Sequence, residues 1–257
     1  MHAGSRARVA ILAGVGVLAF LLTAALLTPG HYWGDDWTLY VRQAEGLIHG
    51  HVGTVVDDVR FTVDHSPPPQ FSPAGYPWGT PLLLATPLAL FGRNIAALKL
   101  TMALSMGVAA VAWCALARRR LPTAPALMAT ACIVVSLPLL AWADLINSDI
   151  PYLAVVGINV AAFARWAALD RLDRRHTIAL GALGALAFAF RQVGLAVLVA
   201  LLLGAAAHQL LRARTREVLR RTAVDCAAAV GVFALITAVL QVLLPSELLP
   251  SYTGSGV

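Results

Sequence analysis

Apolar residues fall in long uninterrupted blocks along this chain, and short arginine-bearing stretches separate them. The blocks occupy residues 9–28, 95–117, 124–142, 151–169, 177–190, 193–211 and 222–244. A helix needs about 20 apolar residues to cross a hydrocarbon core about 30 Å thick. The pattern therefore predicts an all-α, polytopic integral membrane protein with about seven transmembrane helices. No stretch remains for a large soluble domain, so residues 1–257 read as one membrane domain. Composition agrees: 59% of residues are hydrophobic and 12% charged, where soluble domains carry about a quarter.

The charges then orient the bundle. Of nineteen basic residues only Lys99 is a lysine, and most arginines sit between blocks. With Arg6 and Arg8 on the cytoplasmic side, alternation puts three more groups there: Arg118 to Arg120; Arg171, Arg174 and Arg175; and Arg212 to Arg221. Arg42, Arg60, Arg93, Lys99 and Arg191 fall on the opposite side. This makes 9–28 a retained anchor, too long for the apolar core of a cleavable signal. It makes 29–94 an extracytoplasmic loop, 95–244 six further crossings and 245–257 an external tail. The net charge of +6 thus encodes topology and does not point to nucleic acid. Blocks 177–190 and 193–211 have cationic outer ends and only Arg191 and Gln192 between them, which favours a hairpin over one long helix. The first limb rises only about 21 Å, so Arg191 is expected below the surface, facing a partner or watery cavity. The alternative is that it snorkels to headgroups.

Six of the thirteen acidic residues lie in the long loop: Asp35, Asp36, Glu45, Asp57, Asp58 and Asp64. Trp37, Tyr40, Val41, Ala44, Leu47 and Ile48 recur at helical spacing with Gly50 as a stop, predicting an amphipathic interfacial helix. Thr38, Arg42, Gln43, Glu45 and His49 form its polar side. Asp35 and Asp36 stand at its N-terminus, at headgroup depth, where an N-cap also favours a carboxylate. Residues 82–91 are apolar but too short to span, and Pro73, Pro77, Pro81 and Pro87 are expected to interrupt regular structure there. Residues 66–69 read as a stiff spacer, and Asp57, Asp58 and Asp64 as solvated loop charges. A second acidic spot, DLINSDIP at 144–151, joins two crossings, with Asp149 placed to cap the next helix, or else Asp144 or Asp149 placed to meet the loop carboxylates and share a divalent cation.

Other chemistries lack their signatures. Cys114, Cys132 and Cys226 sit inside apolar blocks and make no disulfide or ligand pattern. His31, His49, His51 and His65 show no zinc spacing, and neither a GxSxG elbow nor a P-loop is present.

Five stretches, in order, resemble the GT-C class of membrane glycosyltransferases, the branch holding protein O-mannosyltransferases, aminoarabinose transferases and lipopolysaccharide sugar transferases. They are Asp35-Asp36 followed by Tyr40, Ala44, Leu47 and Gly50; Tyr76 to Leu84 closing at Leu90-Phe91-Gly92; Ala97-Leu98-Lys99-Leu100; Ser148-Asp149-Ile150-Pro151; and Phe190 to Leu195. The resemblance covers about residues 9–212. Asp-Asp stands where the class more often has Asp-Glu, and Trp78 and Thr80 stand for a frequent Pro and Tyr. Members usually continue through more crossings, so the chain reads as the N-terminal portion of such an enzyme, a truncated or partial product. The resemblance implies an inverting glycosyltransferase of the bacterial inner membrane. Its donor is a polyprenyl-phosphate-linked sugar, and its acceptor a lipid, glycan or protein on the extracytoplasmic face. Asp35 and Asp36 are the implied catalytic acids, with Asp35 the first choice of base. Arg191 and Lys99 are the implied donor-phosphate ligands, and a divalent cation shared by Asp36 and Asp149 is a lesser alternative. The rival readings are a transporter or lipid-binding membrane protein, and a catalytically silent accessory fragment.

Overall fold

The computed structural model describes residues 3–31, 36–65, 73, 75–168, 172–212 and 215–246. Asp35, the 66–69 tract and the tail beyond 246 lie outside the described residues. Eleven helices are described, and no strand occurs among the described residues. In chain order they are α1 (Ala3–Ala25), α2 (Trp37–Ile48), α3 (Val52–Asp64), α4 (Gly79–Phe91), α5 (Ile95–Ala117), α6 (Thr123–Val134), α7 (Leu137–Ala143), α8 (Asp149–Ala168), α9 (Arg174–Phe190), α10 (Gly194–Arg212) and α11 (Arg216–Leu243).

α1, α5, α8, α10 and α11 are each long and apolar enough to cross a membrane. The expected crossing at 124–142 is two helices, α6 and α7, bent by 57°. Ser136 leaves the helix in an extended conformation and Pro138 sits in the first turn of α7; a proline there cannot bond back to the turn before it. Counted as one span, the pair makes a sixth. The expected seventh, α9, has 17 residues and rises about 25 Å, short of a full hydrocarbon core. The hairpin reading of α9 and α10 holds. Leu180, Leu201 and Ala205 share one cluster, and Gly184 abuts Leu198, pairs placed almost symmetrically about Arg191.

Lipid tails are as apolar as leucine, so spanning helices associate through close packing at small residues. At Gly181 of α9, an added Cβ would fall 2.1 Å from the Ala229 carbonyl oxygen of α11, a contact only glycine permits. The layer formed by α2, α3 and α4 is held differently. Tyr40, Val41 and Ala44 of α2 pack on Leu84 and Leu88 of α4, Leu98 and Met102 of α5, and Ile146. Each large side chain there is worth roughly 1.5–3 kcal/mol if buried from water.

The loop between the first crossing and α5 holds three helices, α2, α3 and α4. Residues 52–64 form α3, with Val56 and Val59 buried, so Asp57 and Asp58 are helix-surface charges. They pair with Arg60 and Arg42 at 3.6 and 3.3 Å. Pro81 and Pro87 do not break α4. Pro81 falls in its first turn, where no backbone N–H bond is lost, and Pro87 is carried inside the helix.

Candidate functional site

The turn between α7 and α8 organises one end of the bundle. Asp144 Oδ1 accepts hydrogen bonds from Lys99 Nζ and the Thr28 N–H, both at 2.8 Å. Lys99 Nζ also donates to the Thr28 carbonyl at 3.0 Å. The lysine is buried, at 2% exposure. Burial pushes the Asp144 carboxyl up, but the bonds from Lys99 and Thr28 outweigh it and hold the group below the ordinary carboxylate range. This clasp ties the end of α1 and the start of α5 to the turn. His31 Nε2 accepts from the Ile146 N–H at 2.8 Å. Asn147 donates to the Trp142 carbonyl at 2.7 Å, and its Oδ1 accepts from the backbone N–H groups of Asp149 and Ile150. Asn147 therefore takes the capping role that Asp149 was placed to fill. The Asp149 carboxylate, in the first turn of α8, projects elsewhere.

It meets Arg191. The Arg191 Nη1 donates to Asp149 Oδ1 and, at 3.3 Å, to Ser148 Oγ. Arg191 is the extended residue ending α9. Its backbone is set by the start of α4, where a Cβ on Gly79 would fall 2.6 Å from the Phe190 ring and 2.7 Å from the Ala189 carbonyl oxygen. Tyr40 of α2 completes the link by donating to Ser148 Oγ at 3.2 Å. Burial pushes the Tyr40 phenol well above its ordinary value, so it stays a neutral donor at any working pH.

A cavity of about 330 Å³ opens among these groups. Asp36, Tyr40 and Tyr76 form one wall, Trp142, Ser148 and Asp149 a second, and Phe190, Arg191 and Gln192 a third. Asp36 stands at the N-cap position of α2 but makes no capping bond; its carboxylate accepts from the Tyr76 hydroxyl instead. Tyr76 is held by Gln43, whose amide donates to its carbonyl at 3.0 Å and accepts from its N–H at 3.1 Å. Gln43 was placed on the polar side of α2, yet it is fully buried. The 75–78 segment covers that side, and an amide bonded at both ends tolerates burial. On the outer side of α2, Glu45 pairs with Arg93, with Nη2 to Oε2 at 2.7 Å. The hydrogen bond from Arg93 holds the Glu45 carboxyl below its ordinary value.

Three of the five expected site residues thus share one cavity: Asp36, Asp149 and Arg191. Lys99 does not line it; its ammonium is committed to Asp144 and Thr28. Asp35 lies outside the described residues. Asp36 and Asp149, the pair considered for a cation, are held by Tyr76 and Arg191. No group of three or more His, Cys, Asp or Glu side chains gathers among the described residues. Tyr40, Tyr76 and Ser148 belong to the stretches that carry the resemblance but had no site role assigned, and Asn147 and Trp142 had none either. The Asn-Ser-Asp run at 147–149 before Pro151 was the hint available for Asn147, since Asn two residues before a helix start is a capping signal.

The described helices form an all-α bundle, five of them long and apolar enough to cross a membrane, beside a cavity lined by carboxylates and a guanidinium. The chain belongs to the dolichyl-phosphate-mannose-protein mannosyltransferase family, whose model matches residues 76–241. The match includes Tyr76, Ser148, Asp149 and Arg191, while Asp35 and Asp36 precede it. No curated protein and no solved structure matches the chain.

Proposed function

We propose that the chain transfers a sugar from a polyprenyl-phosphate donor to a hydroxyl of a lipid, glycan or protein acceptor, with inversion, at the extracytoplasmic face. The observation that carries this reading is that Asp36 and Arg191 border the same cavity. A membrane-anchored donor keeps its phosphate at headgroup depth, so base and cation must both stand at the end of the helices. Asp36, or Asp35 beside it in sequence, takes the acceptor hydroxyl proton as that oxygen bonds to the anomeric carbon. The sugar–phosphate C–O bond breaks on the opposite face, and its electron pair leaves with the phosphate. Arg191 offsets the charge that grows there. Tyr76 fixes the Asp36 carboxylate, and Tyr40 and Ser148 flank the guanidinium.

Orientation rests on the arginines. Arg118 to Arg120, Arg174, Arg175, Arg212 and Arg216 stand at helix ends opposite the cavity, which supports a cytoplasmic location for that end and an extracytoplasmic one for the site. Asp36 and Asp149 are each engaged by a protein group, Tyr76 and Arg191, and no step is routed through a metal. Lys99 is read as structural. The decisive experiment is transfer from a radiolabelled polyprenyl-phosphate sugar in membranes carrying Asp35→Asn or Asp36→Asn. Loss of transfer with intact insertion is expected from at least one of them; full activity in both would remove the aspartates from the chemistry.

A further inference from the structure

Arg191 is not an open cation. Its guanidinium is bonded to Asp149, and the two side chains are 39% and 41% exposed, both lining the cavity. Asn147 satisfies the backbone N–H groups of Asp149 and Ile150, so the Asp149 carboxylate is not needed to start α8. Ser148 keeps a second bond, from Tyr40, which holds it beside Arg191 whether or not Asp149 is engaged.

We infer that Asp149 is a resident counter-anion on Arg191, displaced by the donor phosphate, which discriminates between a phosphodiester and the phosphomonoester left after transfer. The inference rests on the reading of Arg191 as the phosphate ligand. A sugar-linked polyprenyl phosphate is a diester with one negative charge. Transfer of the sugar leaves a monoester whose second ionisation lies near pH 6, and which approaches two negative charges above it. Asp149 is tethered to α8 and stays in the cavity after displacement. Its repulsion scales with the charge it faces, so it opposes the monoester about twice as strongly as the diester. Arg191 then assists departure of the phosphate, and Asp149 keeps the product from remaining on it. Asp149 is in these terms a positioning and specificity residue, acting through Arg191.

The test is binding to the full chain in nanodiscs at about pH 8, above the second phosphate ionisation. The probes are a short-chain isoprenyl phosphate monoester and its methyl diester. Both Asp149→Asn and Asp149→Ser are made, because either residue suits the first turn of a helix and a folding defect in one leaves the other informative. The expected result is a gain of about tenfold in monoester affinity and of no more than about threefold for the diester. Asp149→Glu, which keeps the charge, preserves the wild-type discrimination. With a labelled donor, the neutral variants should lower KM and kcat together as product lingers. An equal gain for both probes, or none, overturns the inference while leaving Arg191 in place. If Arg191→Gln changes neither affinity, the phosphate reading beneath it has failed instead.

Discussion

Two cation–carboxylate pairs meet at the α7–α8 turn, and they differ in access to water. Lys99 and Asp144 form a clasp in which the lysine is 2% exposed and bonded to Asp144 and Thr28. Arg191 and Asp149 form an equally direct pair, but each is about 40% exposed and both face a cavity. Sequence treats the two cations alike, since each opens or closes a helix on the same side of the bundle. The comparison shows that burial, not charge or position, separates a structural pair from one able to exchange partners. A buried ammonium cannot give up its carboxylate without stranding a charge. A guanidinium at a cavity wall can trade one oxyanion for another.

Substitutions should break the two pairs in different currencies. The largest effect is expected next to the open pair, where Asp36→Asn or Asp35→Asn, whichever removes the base, should lower sugar transfer by about 10²–10⁴ at unchanged membrane insertion. Arg191→Gln should cost about 10²–10³ in kcat. Its thermal unfolding in detergent should move by under about 1 kcal/mol, because an exposed pair contributes little. Lys99→Met should do the reverse. It leaves Asp144 beneath the clasp without its cation and should destabilise by about 3 kcal/mol, with much recovered in the Lys99→Met/Asp144→Leu double variant. A stability loss no greater than that of Arg191→Gln would erase the distinction between the pairs. The smallest effect belongs to the outermost pair, Glu45 and Arg93. The folded Glu45 carboxyl lies below its unfolded value, so its contribution is complete above the unfolded carboxylate pKa of about 4.3 and is lost as pH falls through the folded value. Arg93 is 73% exposed, so Glu45→Gln should remove under about 1 kcal/mol at neutral pH and flatten that acid-side loss.

Much of the fold was legible because apolar length is a strong signal. Block 95–117 coincides with α5 at both ends, and 37–48 was visible as a helix from its spacing and Gly50. α3 escaped as a loop despite Val52, Val55, Val56, Val59 and Val63 at helical spacing, since β-branched residues are weak helix formers. The break at 135–138 was marked by Ser136 and Pro138 but hidden inside an apolar run. Gln43 was misplaced because helical spacing names a polar face without saying what will cover it.

For the site, the sequence placed Asp36, Asp149 and Arg191 at one end of the bundle, because span length and arginine position fix depth. It left open which carboxylate meets which cation. Asp149 and Arg191 lie 42 residues apart, and Lys99 and Asp144 lie 45 apart. Helices that are apolar on all sides carry no pattern to fix their rotation about their own axes. Only tertiary packing, through contacts such as Gly79 on Phe190 and Gly181 on Ala229, decided that rotation, and with it which charge was sealed and which was left facing the cavity.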